Sequence, residues 1–303
     1  MISVIIPTTR PGRVGQTVAS LIAGNAGVEQ EIVIVTPYSD ELDPETRAVI
    51  VVVETDTVYP PGRMRNLGVA AAQGETICFV DDDCVVPDGW SAALTAALDD
   101  ADDVGAVGCR VVGPPGFWSR CADFSLFAPY QFVTRGRRDL GSAALAVRRR
   151  AFDEAGGFDE DLRASEDWEF CFRLHACGWA TLFEPAVTVR HHHGRDRYRS
   201  IMRSAWDFGF RSGLIVQTRH RDQMSALAKL SILLRHPGFY WVLILPYAFI
   251  VSLALIPEFM RANPRYILYL PFVIDARVSY HAGVWSRLAA DEKKSRDAAG
   301  ERK

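Results

Sequence analysis

The chain has no CxxC pair and no disulfide-framework spacing among its six cysteines, Cys78, Cys84, Cys109, Cys121, Cys171 and Cys177. That speaks against a disulfide-stapled fold and fits reduced, mostly packed thiols of a cytosolic domain. It has no excess of positive charge, and a formal net charge of −3 removes any general case for nucleic-acid binding. Met1-Ile2-Ser3-Val4-Ile5-Ile6-Pro7 lacks both a charged n-region and an apolar h-region of signal length, so this part of the chain is expected in the cytoplasm. No Gly-rich phosphate loop follows the first apolar run, because Thr8-Thr9-Arg10-Pro11-Gly12 is a poor match to one. Lysine is scarce, and arginines crowd between Arg190 and Arg235. What remains is globular: 303 residues, 49% hydrophobic and 23% charged, are enough for one large or two modest domains.

Up to about residue 190, short apolar runs alternate with helical patterns, which predicts an α/β fold with a mostly parallel sheet. Residues 2–6, 31–35, 49–54, 76–80, 104–111 and 143–147 read as strands, and 180–189 as a strand or hairpin. Residues 14–23, 63–73, 90–98 and 165–177 read as helices. Between Gly113 and Asp139 lies a loop-rich stretch carrying Pro114-Pro115 and Trp118. Beyond His193 the composition changes. Tyr198–Gly213 is basic and aromatic, and Phe239–Ile256 carries no charge at all. Eighteen helical residues span about 27 Å, close to a hydrocarbon core of about 30 Å, and Pro246 inside the run would kink it. The flanks are basic on both sides, so a re-entrant hairpin or in-plane helices suit the charges better than one crossing. A buried helix of a soluble accessory domain stays open, as does a core role for Trp241, Tyr240, Tyr247, Tyr266 and Tyr269 in place of an interfacial belt. The expected division is a catalytic domain over 1–215, a hydrophobic helical region over 216–286 and a basic polar tail over 287–303.

The most informative feature is Asp81-Asp82-Asp83 at the end of the buried run Thr76–Val80. Like charges at about 4 Å repel by roughly 4 kcal/mol at an effective dielectric of 20. Carboxylates held together at a strand end therefore suit a divalent cation, and an oxygen-rich site favours Mg²⁺, Mn²⁺ or Ca²⁺. A solvated acidic turn is the alternative.

Several patterns in order resemble glycosyltransferase family 2. They are Val4-Ile5-Ile6-Pro7-Thr8, Arg65-Asn66-Leu67-Gly68, Ala72-Gln73-Gly74-Glu75, Phe79-Val80-Asp81-Asp82-Asp83, Gly156-Gly157-Phe158-Asp159-Glu160, and Glu166-Asp167 followed by Arg173. The resemblance covers residues 1 to about 215 and implies the GT-A fold, a nucleotide-binding α/β domain flanked by helices. It implies that Asp81 and Asp83 form the DxD motif, with Asp83 the direct ligand of Mn²⁺ or Mg²⁺ and Asp82 facing ribose or metal. Pro7, Thr8 and Arg10 follow the first strand, where the family grips the nucleoside. Arg65 and Asn66 become candidates for nucleotide contact, with ordinary helix surface and capping as the alternative. Glu166-Asp167 matches the family's acidic pair, with Asp167 as catalytic base; a plain helix cap is the local alternative. Trp168 is an acceptor platform or a core residue.

Of His191-His192-His193, the resemblance implies that one completes the metal site. Alternate residues of an extended segment face one way, which separates His192 from the other two and favours His191, then His193. Arg195, Arg197, Arg199 and Arg203 suit phosphate groups or anionic headgroups. One departure stands out: the family's acid after the second strand is replaced by Thr36-Pro37-Tyr38-Ser39-Asp40, so an acid reaches that place only if the loop presents Asp40. The expectation is an inverting, membrane-associated transferase. It would use a nucleotide-sugar donor and a lipid-linked acceptor of polyprenyl or dolichyl phosphate type, at the cytoplasmic face of the cell membrane. The rivals are a transferase with a small soluble acceptor, whose apolar helices form a dimer interface, and a catalytically silent scaffold.

Overall fold

The computed structural model describes residues 1–24, 27–127, 140–220, 222 and 240–300. The chain divides into two compact units, Met1–Pro114 with Val133–His193, and Pro115–Phe132 with Gly194–Lys303. The first unit thus ends at His193 instead of 215.

The first unit is built on one sheet, with eight strands among the described residues: β1 (Ile2–Pro7), β2 (Gln30–Thr36), β3 (Val51–Glu54), β4 (Thr76–Val80), β5 (Cys84–Val85), β6 (Val104–Val112), β7 (Ala144–Arg148) and β8 (Ala180–His191). Their order is β3-β2-β1-β4-β7-β6-β8-β5. The half β3-β2-β1-β4 is parallel, as expected. The other half is mixed, because β7 runs antiparallel to both β4 and β6 and β5 folds back antiparallel onto β8. Central strands buried on both faces need apolar side chains along their length, and Val4–Ile6, Ile32–Val35 and Ile77–Val80 supply them, while the buried Ser3 hydroxyl is satisfied by Glu31.

The helices of this unit are α1 (Val14–Gly24), α2 (Pro44–Arg47), α3 (Pro61–Ala71) and α4 (Trp90–Asp99), then, after α5 (Phe117–Leu126) of the second unit, α6 (Arg149–Ala155) and α7 (Glu166–Ala176). Trp90 anchors the core under α4 with no exposed surface. Helix α3 lies so close to β1 that a Cβ on Gly68 would sit 2.4 Å from Ile5 Cγ2. The chain leaves β1 for β2 on one side and reaches β4 on the other. The carboxyl ends of β1 and β4 therefore flank a topological switch point, where open α/β sheets place their ligands.

The second unit is helical among its described residues. After α5 come α8 (Tyr198–Phe208), a π-turn at Gly209–Gly213, α9 (Leu214–Arg219), α10 (Tyr240–Leu253), α11 (Ile256–Ala262), a 3-10 turn at Pro264–Tyr269 and α12 (Leu270–Gly300). Helix α8 meets α12 backbone to backbone: a Cβ on Gly283 would lie 2.1 Å from the Trp206 carbonyl oxygen. This contact is why Tyr198–Gly213 belongs with the C-terminal helices.

Two expectations change here. The loop-rich stretch contains α5, with 128–139 outside the described residues. The polar tail expected from 287 continues α12 up to Gly300, with 301–303 outside the described residues. Tyr266 and Tyr269 pack, half-buried, on the Phe124 cluster, and Trp241 and Tyr247 pack, half-buried, around Ile244 and Val284. Leu227–Phe239 lies outside the described residues. Pro246 sits inside α10. Ile244–Ala262, 19 residues long, is apolar and long enough to cross a membrane by length and composition, and 22% of it is buried within the protein.

Candidate active site

Two strand ends build the centre. Thr8 follows β1, and its buried hydroxyl donates to Asp82 Oδ2 at 2.6 Å. Arg10 closes the same loop, with Nη2 at 2.6 Å from Asp82 Oδ1 and 3.2 Å from Asp83 Oδ2. Thr17 Oγ1 donates to the Asp82 backbone carbonyl at 2.9 Å. Asp82 is thereby tied down by α1 and by the loop after β1. Burial nonetheless outweighs Thr8 and Arg10 and pushes its carboxyl above the ordinary range.

After Asp83 the chain forms β5, which pairs Cys84 with His191 at the end of β8. That pairing brings a residue from far along the sequence onto the acidic turn. His191 Nε2 lies 3.0 Å from Asp83 Oδ1 and 3.8 Å from Asp81 Oδ2, and His192 N–H donates to the Asp83 carbonyl at 2.8 Å. The His191 and His193 rings stand edge to face at 5.5 Å, as alternation along a strand predicts. Burial opposes ionisation of Asp83, but His191 and Arg10 together prevail and hold its carboxyl below the ordinary range.

Donor atoms of Asp83, Cys84 and His191 lie within 4.8 Å of one another. Burial, then Asp81 and Asp83, push the Cys84 thiol up, and its Sγ is engaged as a donor to the Ala143 carbonyl at 3.4 Å. The set that fits a cation is therefore Asp81, Asp83 and His191. Carboxylate with imidazole suits Mn²⁺ better than Mg²⁺.

Glu166 and Asp167 open α7. The residue before them, Ser165, has φ 59°, the one left-handed non-glycine backbone among the described residues. Such strain costs about 1–3 kcal/mol and persists where surrounding contacts enforce it. Ser165 makes no side-chain cap bond, while Glu166, Asp167 and Glu169 place negative charge in the first turn of α7. Asp167 is held from both sides: Oδ2 accepts from the Ser142 N–H at 2.9 Å and the Ser142 hydroxyl at 3.3 Å, and Oδ1 accepts from the Trp168 N–H at 2.8 Å. Trp168 is half-buried against Phe172.

Arg65 and Asn66 on α3 each have carboxylate or backbone partners within this unit. Arg65 is buried, with Nη1 at 2.6 Å from Glu166 Oε1 and Nη2 at 2.9 Å from Asp81 Oδ1. Burial and Asp167 push the Glu166 carboxyl up to about 7 even though Arg65 opposes them. Asn66 clamps the turn before α7: its Nδ2 donates to the Phe158 carbonyl at 2.9 Å and to Glu160 Oε1 at 3.0 Å, and its Oδ1 accepts from the Phe158 N–H at 2.9 Å. Pro7 ends β1. Asp40 is fully exposed, and its ion-pair partner is Arg47 at 3.9 Å.

The structure thus brings Thr8, Arg10, Asp82, Asp83 and His191 into one group and Arg65, Asp81 and Glu166 into another, and His191 Nε2 facing Asp81 Oδ2 at 3.8 Å joins the two. Ser142 and Thr17 were missed by the sequence reading, and no local pattern around either residue marks it.

The glycosyl transferase family 2 profile matches residues 3–154. The chain belongs to that family. A pre-mycofactocin glycosyltransferase of Mycobacterium tuberculosis is 29% identical over 178 residues, 55% of this chain and 37% of that protein. The O-antigen biosynthesis protein RfbC of Myxococcus xanthus is 27% identical over 227 residues, 65% of this chain and 18% of that protein. The chain therefore matches well under half the length of either relative. Among solved structures, the mannosyltransferase PcManGT of Pyrobaculum calidifontis, in complex with GDP-Man and Mn²⁺, superposes with a TM-score of 0.63 at 16% identity, covering 93% of this chain and 86% of that one. The fold of this family 2 member is GT-A.

Proposed function

We propose that the protein transfers a sugar, with inversion, from a nucleoside diphosphate sugar to a hydroxyl of a lipid-linked glycan at the cytoplasmic face of the cell membrane. The observation that carries the transfer reading is the ion-pair chain that joins Asp83 and His191 through Asp81 and Arg65 to Glu166, the neighbour of Asp167 at the start of α7.

Asp81, Asp83 and His191 would hold Mn²⁺ or Mg²⁺, which when bound supplies charge neutralisation to a diphosphate leaving group. PcManGT binds GDP-Man and Mn²⁺ on the same fold, in keeping with that donor class. Thr8 and Arg10 lie at the nucleoside end of the switch point, and the half-exposed Arg10 guanidinium can reach a ribose or phosphate oxygen. Asp167 would take the proton of the acceptor hydroxyl while that oxygen attacks the anomeric carbon. The bond from that carbon to the diphosphate oxygen breaks, and the nucleoside diphosphate leaves with the electron pair. One carboxylate suffices for a single displacement, and Ser142 fixes its direction. With Asp40 turned to solvent, nothing points to uridine over another nucleoside.

The membrane part rests on Ile244–Ala262 and on the exposed side chains Val242, Leu245, Phe249 and Ile250 along α10. A large apolar face of this kind marks an interaction surface. Its position after the catalytic unit suits an acceptor carried on a polyprenyl chain.

The test is transfer from a panel of nucleotide sugars, with Mn²⁺, to polyprenyl-linked glycan in vesicles, followed by NMR of the anomeric configuration. An inverted glycolipid product supports the reading. Transfer only to a soluble acceptor replaces the lipid acceptor, and no transfer from any donor leaves a silent scaffold.

A further inference from the structure

Arg65 stands between the two halves of the site. Its side chain is 4% exposed, and its two carboxylate partners, Asp81 and Glu166, come 16 and 101 residues further along the chain. One terminal nitrogen serves each partner. The third nitrogen, Nε, is buried with no acceptor among the described residues, and the guanidinium lies 5.6 Å from the Phe158 ring. A buried donor left unmade is costly, and a residue kept for stability alone would be expected to satisfy it. The placement favours the two carboxylates at the expense of the third donor.

Asp81 divides its oxygens in the same way. Oδ1 accepts from Arg65, and Oδ2 faces His191 across 3.8 Å. A single positive charge is thus shared between a carboxylate of the cation cluster and a carboxylate of the pair that opens α7. If Glu166 loses its charge, the whole of the Arg65 charge bears on Asp81 and weakens it as a ligand. With Glu166 charged, Arg65 is partly neutralised and Asp81 is the better ligand.

We infer that Arg65 is a positioning residue that couples the cation cluster to the acidic pair, so that the negative charge of Glu166 strengthens cation binding at Asp81, Asp83 and His191. The inference rests on the reading of that cluster as a divalent-cation site. By linkage the coupling is reciprocal: a bound cation favours charged Glu166 beside Asp167. Donor loading would in this way help set the charge of the pair that flanks the acceptor.

The test is a Mn²⁺ titration at pH 8, read from the free-ion EPR signal, on wild type, Glu166→Gln, Arg65→Met and the double variant. Glu166→Gln keeps the side-chain volume and lies outside the cation cluster, yet is expected to weaken Mn²⁺ binding about fivefold or more, as members of one ion-pair network do. In the Arg65→Met background the same change is expected to have no effect. If Arg65→Met does not fold, Glu166→Gln alone decides. A purely structural Arg65, or one that touches only nucleotide, leaves Mn²⁺ affinity alike in wild type and Glu166→Gln; that overturns the inference and leaves the cation site standing. Wild type that takes up no Mn²⁺ overturns the cation reading and the inference together.

Discussion

Glu166 gives the protein a pH-dependent stability that can be worked out from its surroundings. Its carboxyl is pushed to about 7 from an ordinary 4.5: burial raises it most, Arg65 pulls it back, and Asp167 pushes it up again. Below pH 4.5 Glu166 is protonated in both folded and unfolded chains and contributes no pH dependence. Between 4.5 and 7 the folded protein keeps a proton that the unfolded chain has lost, so stability falls as pH rises. Above 7 the full penalty is present. A span of about 2.5 pH units at about 1.4 kcal/mol each amounts to roughly 3 kcal/mol. Glu166→Gln removes the titrating group, and contributions from groups outside its ion-pair network with Arg65, Asp81 and Asp167 cancel in the comparison. The stability of Glu166→Gln relative to wild type should therefore rise by that amount between pH 4.5 and pH 8. Urea unfolding without metal, at half-unit pH steps and with equal m-values for both proteins, reads the difference directly. Parallel stability curves would refute the reasoning, since they would mean that Arg65 keeps Glu166 ionised throughout and that burial counts for little.

Three further outcomes are expected. Asp167→Asn should lower transfer by about 10²- to 10⁴-fold with donor KM and Tm near wild type, measured by steady-state kinetics and calorimetry; retained turnover removes Asp167 as base. Gly68→Ala should destabilise by about 1–3 kcal/mol in urea unfolding, since its Cβ would meet Ile5 Cγ2 at 2.4 Å and Val35 Cγ2 at 3.0 Å; an unchanged midpoint would mean that α3 can shift from β1 freely. Leu245→Glu with Ile250→Glu, both on the exposed side of α10, should abolish co-sedimentation with anionic vesicles while Tm is unchanged, and persistent sedimentation removes this face as the attachment surface.

Seven strands and the four longer helices of the first unit were legible because buried strands require continuous apolar runs and helices keep a regular apolar spacing, as in Val14–Gly24 and Trp90–Asp99. The short elements β5, α2 and α6 were not read. Neither was strand direction. Ala144–Arg148 reads as a strand either way, and only its pairing with β4 and β6 reverses it. Helix α5 was hidden by Pro114-Pro115-Gly116, which signals a loop and ends just where the helix starts. The acidic turn and the acidic pair were visible as local patterns. Their partners were not: Arg65 reaches Glu166 across 101 positions, and Ser142 reaches Asp167 across 25. Asn66, grouped with Arg65 by sequence, turns instead to the 158–160 turn, because neighbours on a helix face different ways.

The most direct measurement is calorimetric binding of UDP, GDP and their sugars to wild type and Asp83→Ala, each with Mn²⁺ and with EDTA. The account predicts that wild type binds one nucleotide class selectively and only with Mn²⁺, and that Asp83→Ala loses this binding while its Tm stays near that of wild type. Binding that is indifferent to both Mn²⁺ and Asp83 would contradict the placement of the cation site between β4 and β8, and with it the proposed transfer.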